Sequence, residues 1–235
     1  MLTPRWIAGH LLALGLVVLF VNLGFWQLRR LEERRDYVAE VQERALMDPV
    51  RLEDALDDEF LEYRTVTVTG EFDSGEEVLL RGRSLDGQPG YNVLTPLVLE
   101  DGSAVLIERG WVSYGTETAP VVDAPPPAGE VVVTGRLREP GGRTEGTFGP
   151  RDPAEGELEQ TYYVDVERLQ PQMPYELVPA YVELLDVEPP HPQTLPLPLP
   201  EPVLDDGPHL GYAIQWFSFA VIGVVGYAFL MRHVA

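Results

Sequence analysis

His209 is the residue of this sequence whose type and position are best suited to chemistry. It stands directly before an uncharged apolar run from Leu210 to Met231, and Pro208, a residue suited to the first turn of a helix, precedes it. Tyr212 and Trp216 follow one and two helical turns further along the same face. A titratable, metal-competent imidazole at a membrane boundary indicates a binding site. A polar helix end beside an interfacial aromatic belt is the alternative, and the residues alone leave both open.

Other chemistry is limited by the composition. The 235-residue chain contains four histidines and no cysteine, which excludes disulfides, thiolate nucleophiles and cysteine-based metal sites. Carboxylates are abundant, but their spacing marks no acid–base pair, so the sequence argues against an enzyme. We expect His191, in a proline-rich segment, to be exposed.

The charge of the chain excludes a further class of partner. The formal net charge is −21, and every acidic residue lies between Glu32 and Asp206. Such a middle region repels polyanions, so nucleic acid and anionic lipid headgroups are not expected as its partners.

Two apolar runs predict membrane-spanning helices. The first, from Trp6 to Trp26, is too long for the core of a signal peptide, so we interpret it as a retained transmembrane helix. Each run is long enough to cross the ~30 Å of hydrocarbon in a bilayer. Apolar residues keep a heptad-like spacing from Leu28 to Ala45, which predicts that the first helix continues as an amphipathic stalk and ends near Pro49.

The middle of the chain is predicted to be β-rich. Alternating or β-branched segments predict strands over residues 63–70, 77–81, 90–99, 103–112, 129–137, 162–166 and 181–187. Loops are expected over 115–128 and 139–160, and Trp111 is expected in the core. Because no helix separates these strands, we expect an antiparallel sheet curled into a barrel or sandwich.

The predicted architecture is a membrane α+β protein in which two transmembrane helices flank that β-domain. The predicted boundaries are 4–47 for the first helix with its stalk, 48–187 for the β-domain, 188–208 for a proline-rich strap and 209–232 for the second helix. Two crossings put both termini on one side. Arg29, Arg30, Arg34 and Arg35 follow the first helix, so the positive-inside rule would place the β-domain in the cytoplasm.

Four segments, in this order, resemble the Surfeit locus protein 1 family of cytochrome c oxidase assembly factors. They are GFWQLRRL at 24–31, YRTVTVTGEF at 63–72, GYNVLTPL at 90–97 leading to RGWV at 109–112, and HLGYAIQWF at 209–217. The resemblance implies a bacterial plasma-membrane protein with both termini cytoplasmic and the β-domain extracytoplasmic. This topology is the opposite of the one that the positive-inside rule predicts from the four arginines. Long loops, however, translocate largely regardless of charge.

The resemblance also implies a function. It implies assistance with haem a delivery or retention while subunit I of an aa3-type haem-copper oxidase matures, with haem a synthase and the respiratory supercomplex as further partners besides membrane lipid. By position, His209 would be the iron ligand and Tyr212 and Trp216 would line the apolar side. Arg29 and Arg30 would hold the propionates, or would simply anchor the helix at the headgroups.

Two points remain open in this interpretation. Polar residues are common in the family where Gly207-Pro208 stands here, which affects hydrogen bonding to the imidazole. His10 would lie roughly 20–25 Å from His209, too far to share one iron, and is expected to make a polar contact to a partner helix. A structural accessory of a respiratory oxidase that binds no haem is the alternative function.

Overall fold

A computed structural model describes residues 3–56, 62–115, 118–142, 149–190 and 194–234. It divides into two compact units, one formed by Met1–Gln42 with Val203–Ala235 and the other by Glu43–Pro202. The expectation for His191 lies outside the described residues, as do parts of the two predicted loops and of the strap.

The described residues form helices and strands in the following order. They are α1 (Pro4–Ala45), β1 (Val50–Arg51), α2 (Leu52–Leu56), β2 (Thr65–Phe72), β3 (Val78–Leu85), β4 (Gln88–Val98), β5 (Ala104–Ser113), β6 (Glu130–Arg138), β7 (Gln160–Thr161), α3 (Val166–Leu169), β8 (Leu177–Glu188) and α4 (His209–Val234). Short 3₁₀ turns lie at Ser74–Glu76 and Gln170–Gln172.

Helix α4 and all but the last three residues of α1 belong to the first unit. Helix α1 runs unbroken for 42 residues, which confirms the predicted continuity past Trp26, and it ends four residues before Pro49. Among the described helices, α1 and α4 are long and apolar enough to cross a membrane by length and composition. Side chains of α4 contact α1 where Trp216 stacks on Phe20, with 5.7 Å between ring centroids.

One mixed sheet dominates the second unit. Its strand order within the described residues is β1-β2-β6-β8-β5-β4-β3-β7, and β2 also pairs with β4 at Phe72 and Leu97. The expectation of an antiparallel sheet is wrong, because β1 pairs with β2, β3 with β7 and β5 with β8 in parallel. Strand β8 lies between β5 and β6, and the long connections on either side of β6 allow that parallel neighbour. A barrel or sandwich stays a prediction.

Two similar segments of the sequence pair with each other. Residues 66–70 and 131–135 lie antiparallel in β2 and β6, with Val66 opposite Gly135 and Gly70 opposite Val131. Alternate valines of both strands point into one core cluster, which also contains Leu97, Ile107 and Val182. The alternation therefore sets the register, because a slip of one residue would expose the buried valines.

A buried ion pair fixes the loop after β5. Arg109 Nη1 donates to Glu77 Oε2 at 3.0 Å, and both side chains are almost fully buried. Glu77 Oε1 accepts from the backbone N–H of Val121 at 2.7 Å, and Arg109 Nη2 donates to the carbonyl of Ala124 at 2.8 Å. Burial lowers the pKa of the Arg109 guanidinium.

Trp111 on the same strand is 7% exposed, so its expected place in the core is confirmed.

The strand predicted over residues 162–166 is wrong. Asp165 instead caps α3, and its carboxylate accepts from the N–H of Arg168 at 3.1 Å. An aspartate before a helical turn satisfies an N–H that would otherwise lack a partner, which favours a helix start over a strand. Short elements at Val50–Arg51 and Leu52–Leu56 were not predicted, because a few residues carry too little periodicity.

Candidate functional site

His209 is the first residue of α4, and its imidazole contacts α1. Its Nδ1 lies 2.9 Å from Oε1 of Gln27. Gln27 is only 8% exposed, although it stands in a mostly apolar part of α1. A buried amide needs hydrogen-bond partners, and His209 supplies one of them. This contact joins the two helices at the end of α4 where the candidate site lies.

The other ring nitrogen of His209 faces Gly207. A Cβ built on Gly207 would lie 3.6 Å from Nε2 and 3.4 Å from Cδ2, so a side chain there would fill the space beside Nε2. Gly207 has φ +66°, a conformation that glycine adopts without strain. Among the described residues none hydrogen-bonds to Nε2. The donor chemistry fits one axial bond to iron from a neutral imidazole.

Two arginines of α1 hold the turn before α4. Arg34 Nε donates to the carbonyl of Asp205 at 3.1 Å, and Arg35 donates from Nε and Nη2 to Asp206 Oδ2 at 2.9 and 2.7 Å. The hydrogen bond from Arg35 holds the pKa of the Asp206 carboxyl below its ordinary value. Asp205 Oδ1 in turn accepts from the N–H of Gly207 at 3.1 Å. The backbone leading into His209 is therefore anchored to α1.

An open cleft of about 310 Å³ lies beside His209. Its lining consists of Arg30, Glu33, Arg34, Tyr37 and His209. Arg30 donates to Glu33 at 2.7 Å in an exposed ion pair, and the Arg34 guanidinium lies 5.3 Å from the centre of the Tyr37 ring. One imidazole and two guanidinium groups thus face a cleft that also contains one carboxylate. We call this feature the His209 cleft.

The structure brings together only some of the residues proposed from the sequence. Arg30 lines the His209 cleft, whereas Arg29 is exposed and is not part of its lining. Tyr212 is 49% exposed, and Trp216 stacks on Phe20 and meets Phe219 edge to face. Neither aromatic residue belongs to the lining, so their predicted contact with a haem stays a prediction.

Sequence reasoning missed several contributors to the site, among them Gln27, Arg34 and Gly207. Gln27 directly follows the apolar run that ends at Trp26, where a polar residue at a helix end gives no sign of a specific partner. Arg34 could not be separated from its neighbours, because four arginines within seven positions look alike until the helix phase is known. Gly207 was noticed only as a departure from the family pattern.

His10 makes a separate contact at the other end of the two helices. Its Nδ1 hydrogen-bonds with the hydroxyl of Tyr227 on α4, and the two rings meet edge to face at 5.7 Å. The predicted polar contact to a partner helix is thereby confirmed. His10 and Gln27 lie seventeen positions apart on α1, so the helix rise separates them by about 25 Å. His10 therefore cannot share a ligand with His209 in one chain.

A larger cavity, of about 1120 Å³, lies in the second unit, and its lining is mostly acidic. Leu52, Leu56, Phe72, Val98 and Val178 supply apolar surface. Its described carboxylates are Glu53, Glu71, Asp73, Glu100, Asp101 and Glu130, against Arg51 as the described cation. Such a lining repels an anionic ligand. The described part of the chain also holds no group of three or more histidine, aspartate and glutamate side chains that could bind a metal ion.

Comparisons with known proteins match nearly the whole chain. The model of the SURF1 family matches residues 14–221. A SURF1-like protein of Mycobacterium tuberculosis is 28% identical over 96% of this chain and 83% of its own length. A SURF1-like protein of Rickettsia felis is 25% identical over 96% of this chain and 97% of its own length. Cytochrome oxidase assembly protein SHY1 of Saccharomyces cerevisiae is 34% identical over 45% of this chain and 29% of its own length.

Proposed function

The chain belongs to the SURF1 family, and we propose that it is a membrane-bound assembly factor for a haem-copper cytochrome c oxidase. In this proposal it receives or retains haem a while subunit I matures. The name of the yeast relative, a cytochrome oxidase assembly protein, supports the assembly role. The two long apolar helices support association with a membrane, and we propose the bacterial plasma membrane with both termini cytoplasmic.

One observation carries the haem part of the proposal: the imidazole of His209, whose described hydrogen bond is at Nδ1, lines a cleft that also presents two guanidinium groups. Haem combines an iron centre with two carboxylates, so a ligand of this class needs both a nitrogen donor and cations. His209 supplies the donor, and Arg30 and Arg34 supply the cations. Bound haem would supply the iron that this imidazole ligates.

The protein's own residues would position this cargo. Gln27 orients the imidazole from α1, while Arg34 and Arg35 keep the turn before α4 in place. Glu33 already accepts a hydrogen bond from Arg30. An incoming haem carboxylate would therefore share Arg30 with Glu33 or displace Glu33 from it. Exchange of one carboxylate for another suits a protein that passes its ligand on.

A structural accessory that binds no haem is the second candidate, and one observation favours it. The polar groups of the His209 cleft already have partners in the chain: Arg30 with Glu33, His209 with Gln27, and Arg34 with Asp205. On this interpretation the cleft is a polar junction that holds α4 against α1. Both candidates predict an oxidase partner, and they differ only in haem content.

Haem-to-protein ratios separate the two candidates. The wild-type protein and the variants His209→Gln and His10→Gln are each produced together with a haem a pathway and purified from membranes. Glutamine keeps polarity but ligates iron poorly, so His209→Gln should lose at least about nine-tenths of its haem. His10→Gln is the matched control and should keep its haem, because His10 lies about 25 Å from the cleft along α1. If His209→Gln keeps the haem content of the wild type, the haem-binding role of His209 is wrong and the structural accessory is the function that stands.

A further inference from the structure

We propose that Gln27 fixes the tautomer of His209, so that Nδ1 carries the ring proton and Nε2 presents its lone pair to the His209 cleft. This inference rests on the proposed function for the identity of the ligand, haem iron. It makes Gln27 a positioning residue, acting on the cargo only through His209.

The hydrogen bond at Nδ1 determines which nitrogen can ligate. A neutral imidazole has one N–H and one lone pair, and the carbonyl oxygen of an amide is an acceptor only. Since Gln27 Oε1 lies 2.9 Å from Nδ1, the proton must be on Nδ1 for this bond to form. Nε2 is then unprotonated and free to bind a metal.

The position of Gln27 in α1 keeps its amide on that side of the ring. Gly24, Gln27 and Leu31 are buried on one face of α1, and Gly24 lies against the ring of Phe217 on α4. The absence of a side chain at Gly24 leaves room for this ring, so that α4 packs against the face of α1 that carries Gln27. A buried amide has few alternative partners, so its orientation is well defined.

The surroundings of Nε2 complete the arrangement. A Cβ on Gly207 would lie 3.6 Å from this atom, and glycine leaves that space empty. The ring also borders the His209 cleft, where Arg30 and Arg34 lie. The proposed tautomer therefore leaves the lone pair on the nitrogen next to Gly207, in a ring that borders the cleft.

A purely structural role for Gln27 makes a different prediction. If the amide only joins the two helices, its removal should change stability without changing how His209 divides its proton between the two nitrogens. A readout of the proton position in the haem-free protein distinguishes these roles.

The test uses full-length, haem-free protein in detergent with ¹⁵N-labelled histidine, at a pH where His209 is neutral. Two-bond ¹H–¹⁵N spectra report which ring nitrogen is protonated, and His209→Gln identifies the His209 signals. Wild-type protein should show Nδ1–H. Gln27→Leu should move the proton largely to Nε2, and Gln27→Glu, whose carboxylate can only accept, should keep Nδ1–H. The inference would be overturned if the wild-type protein carried the ring proton of His209 on Nε2. It would also be overturned if Gln27→Leu left the His209 signals unchanged.

Haem binding gives a second, independent readout. Removing the hydrogen-bond partner of a metal-ligating histidine typically weakens binding about 10- to 100-fold, so Gln27→Leu should lose affinity by that factor. Gln27→Glu should retain most of it. If wild-type protein binds haem and Gln27→Leu binds it equally well, this inference fails alone. If wild-type protein binds no haem, the proposed function fails, and with it the iron-binding role of Nε2, whatever the tautomer spectra show.

Discussion

At the scale of single residues, the His209 cleft separates arginines that look equivalent in the sequence. Arg34 and Arg35 hold the turn before α4, Arg30 faces the cleft, and Arg29 is outside its lining. Adjacent residues on a helix point about 100° apart, and Arg30, not Arg29, lies on the face of α1 that borders the cleft. The cluster therefore combines anchoring and candidate ligand contacts.

This difference predicts unequal effects on haem retention. Arg30→Ala removes a cation from the cleft and leaves the Glu33 carboxylate without its partner, so an anionic ligand is both less attracted and more repelled. Because the pair is exposed, we expect affinity to fall only about two- to fivefold. Titration of purified protein with haem measures the change.

Arg29→Ala is the matched control, since it removes the same charge from the neighbouring position and should leave haem affinity unchanged. Glu33→Gln should bind haem at least as well as wild type. Equal losses in Arg29→Ala and Arg30→Ala would show that the arginines act through general charge and not through the cleft.

At the scale of helices, the site depends on how closely α1 and α4 approach each other. A Cβ on Gly24 would lie 2.6 Å from Cε1 of Phe217, nearer than real atoms come. Gly24 therefore leaves room for the Phe217 ring between the two helices. Gly24 lies three positions before Gln27 on the same face of α1, so this packing lies one turn from the contact between Gln27 and His209.

Gly24→Ala should accordingly weaken the contact between α1 and α4. Overpacking at a tight contact typically costs 1–3 kcal/mol, about enough to lower the melting temperature measurably. Thermal unfolding in detergent, followed by circular dichroism, checks this. Tautomer spectra of His209 should also show partial loss of the contact with Gln27.

Gly15→Ala is the matched control on the same helix, because a Cβ on Gly15 meets nothing within 4 Å. It should be neutral or slightly stabilising, as alanine is the better helix former. Should Gly24→Ala be as stable as Gly15→Ala, with an unchanged His209 signal, the close approach would not be what positions the site.

At the scale of the whole molecule, the charge pattern and the topology that we propose are opposite. Four arginines follow the apolar part of α1, which by the positive-inside rule favours a cytoplasmic β-domain. We propose the extracytoplasmic location that the family resemblance implies. The connection between the two apolar helices is long, and long segments translocate largely regardless of charge.

A reporter that is active only in the cytoplasm tests this topology when inserted within residues 139–160. We expect no reporter activity, while the same reporter fused after α4 should be active and serves as the positive control. Activity at the internal site in a strain with normal oxidase assembly would show that the charge rule holds and that the proposed topology is wrong.

Long periodic segments were predictable from the sequence because their physics is local. An uncharged run of some twenty residues predicts a long apolar helix by itself, and the unbroken spacing from Leu28 to Ala45 predicts that α1 continues. Alternating valines predict β2 and β6 because burial of one face has a period of two residues. The special position of His209 also follows from local sequence, since it stands at the start of an apolar helix.

Tertiary structure alone decided which strands are neighbours and which side chains meet. Strand β8 pairs in parallel with β5 because long connections let distant segments become neighbours, and no local pattern encodes that choice. Likewise, Gln27 is 182 positions from His209, and their contact depends on the packing of α4 against α1. The sequence by itself therefore determined the candidate ligand and the helix that carries it. The hydrogen-bond partner of His209 and the two arginines that face the cleft follow only from packing, because they depend on distances between residues far apart in the chain.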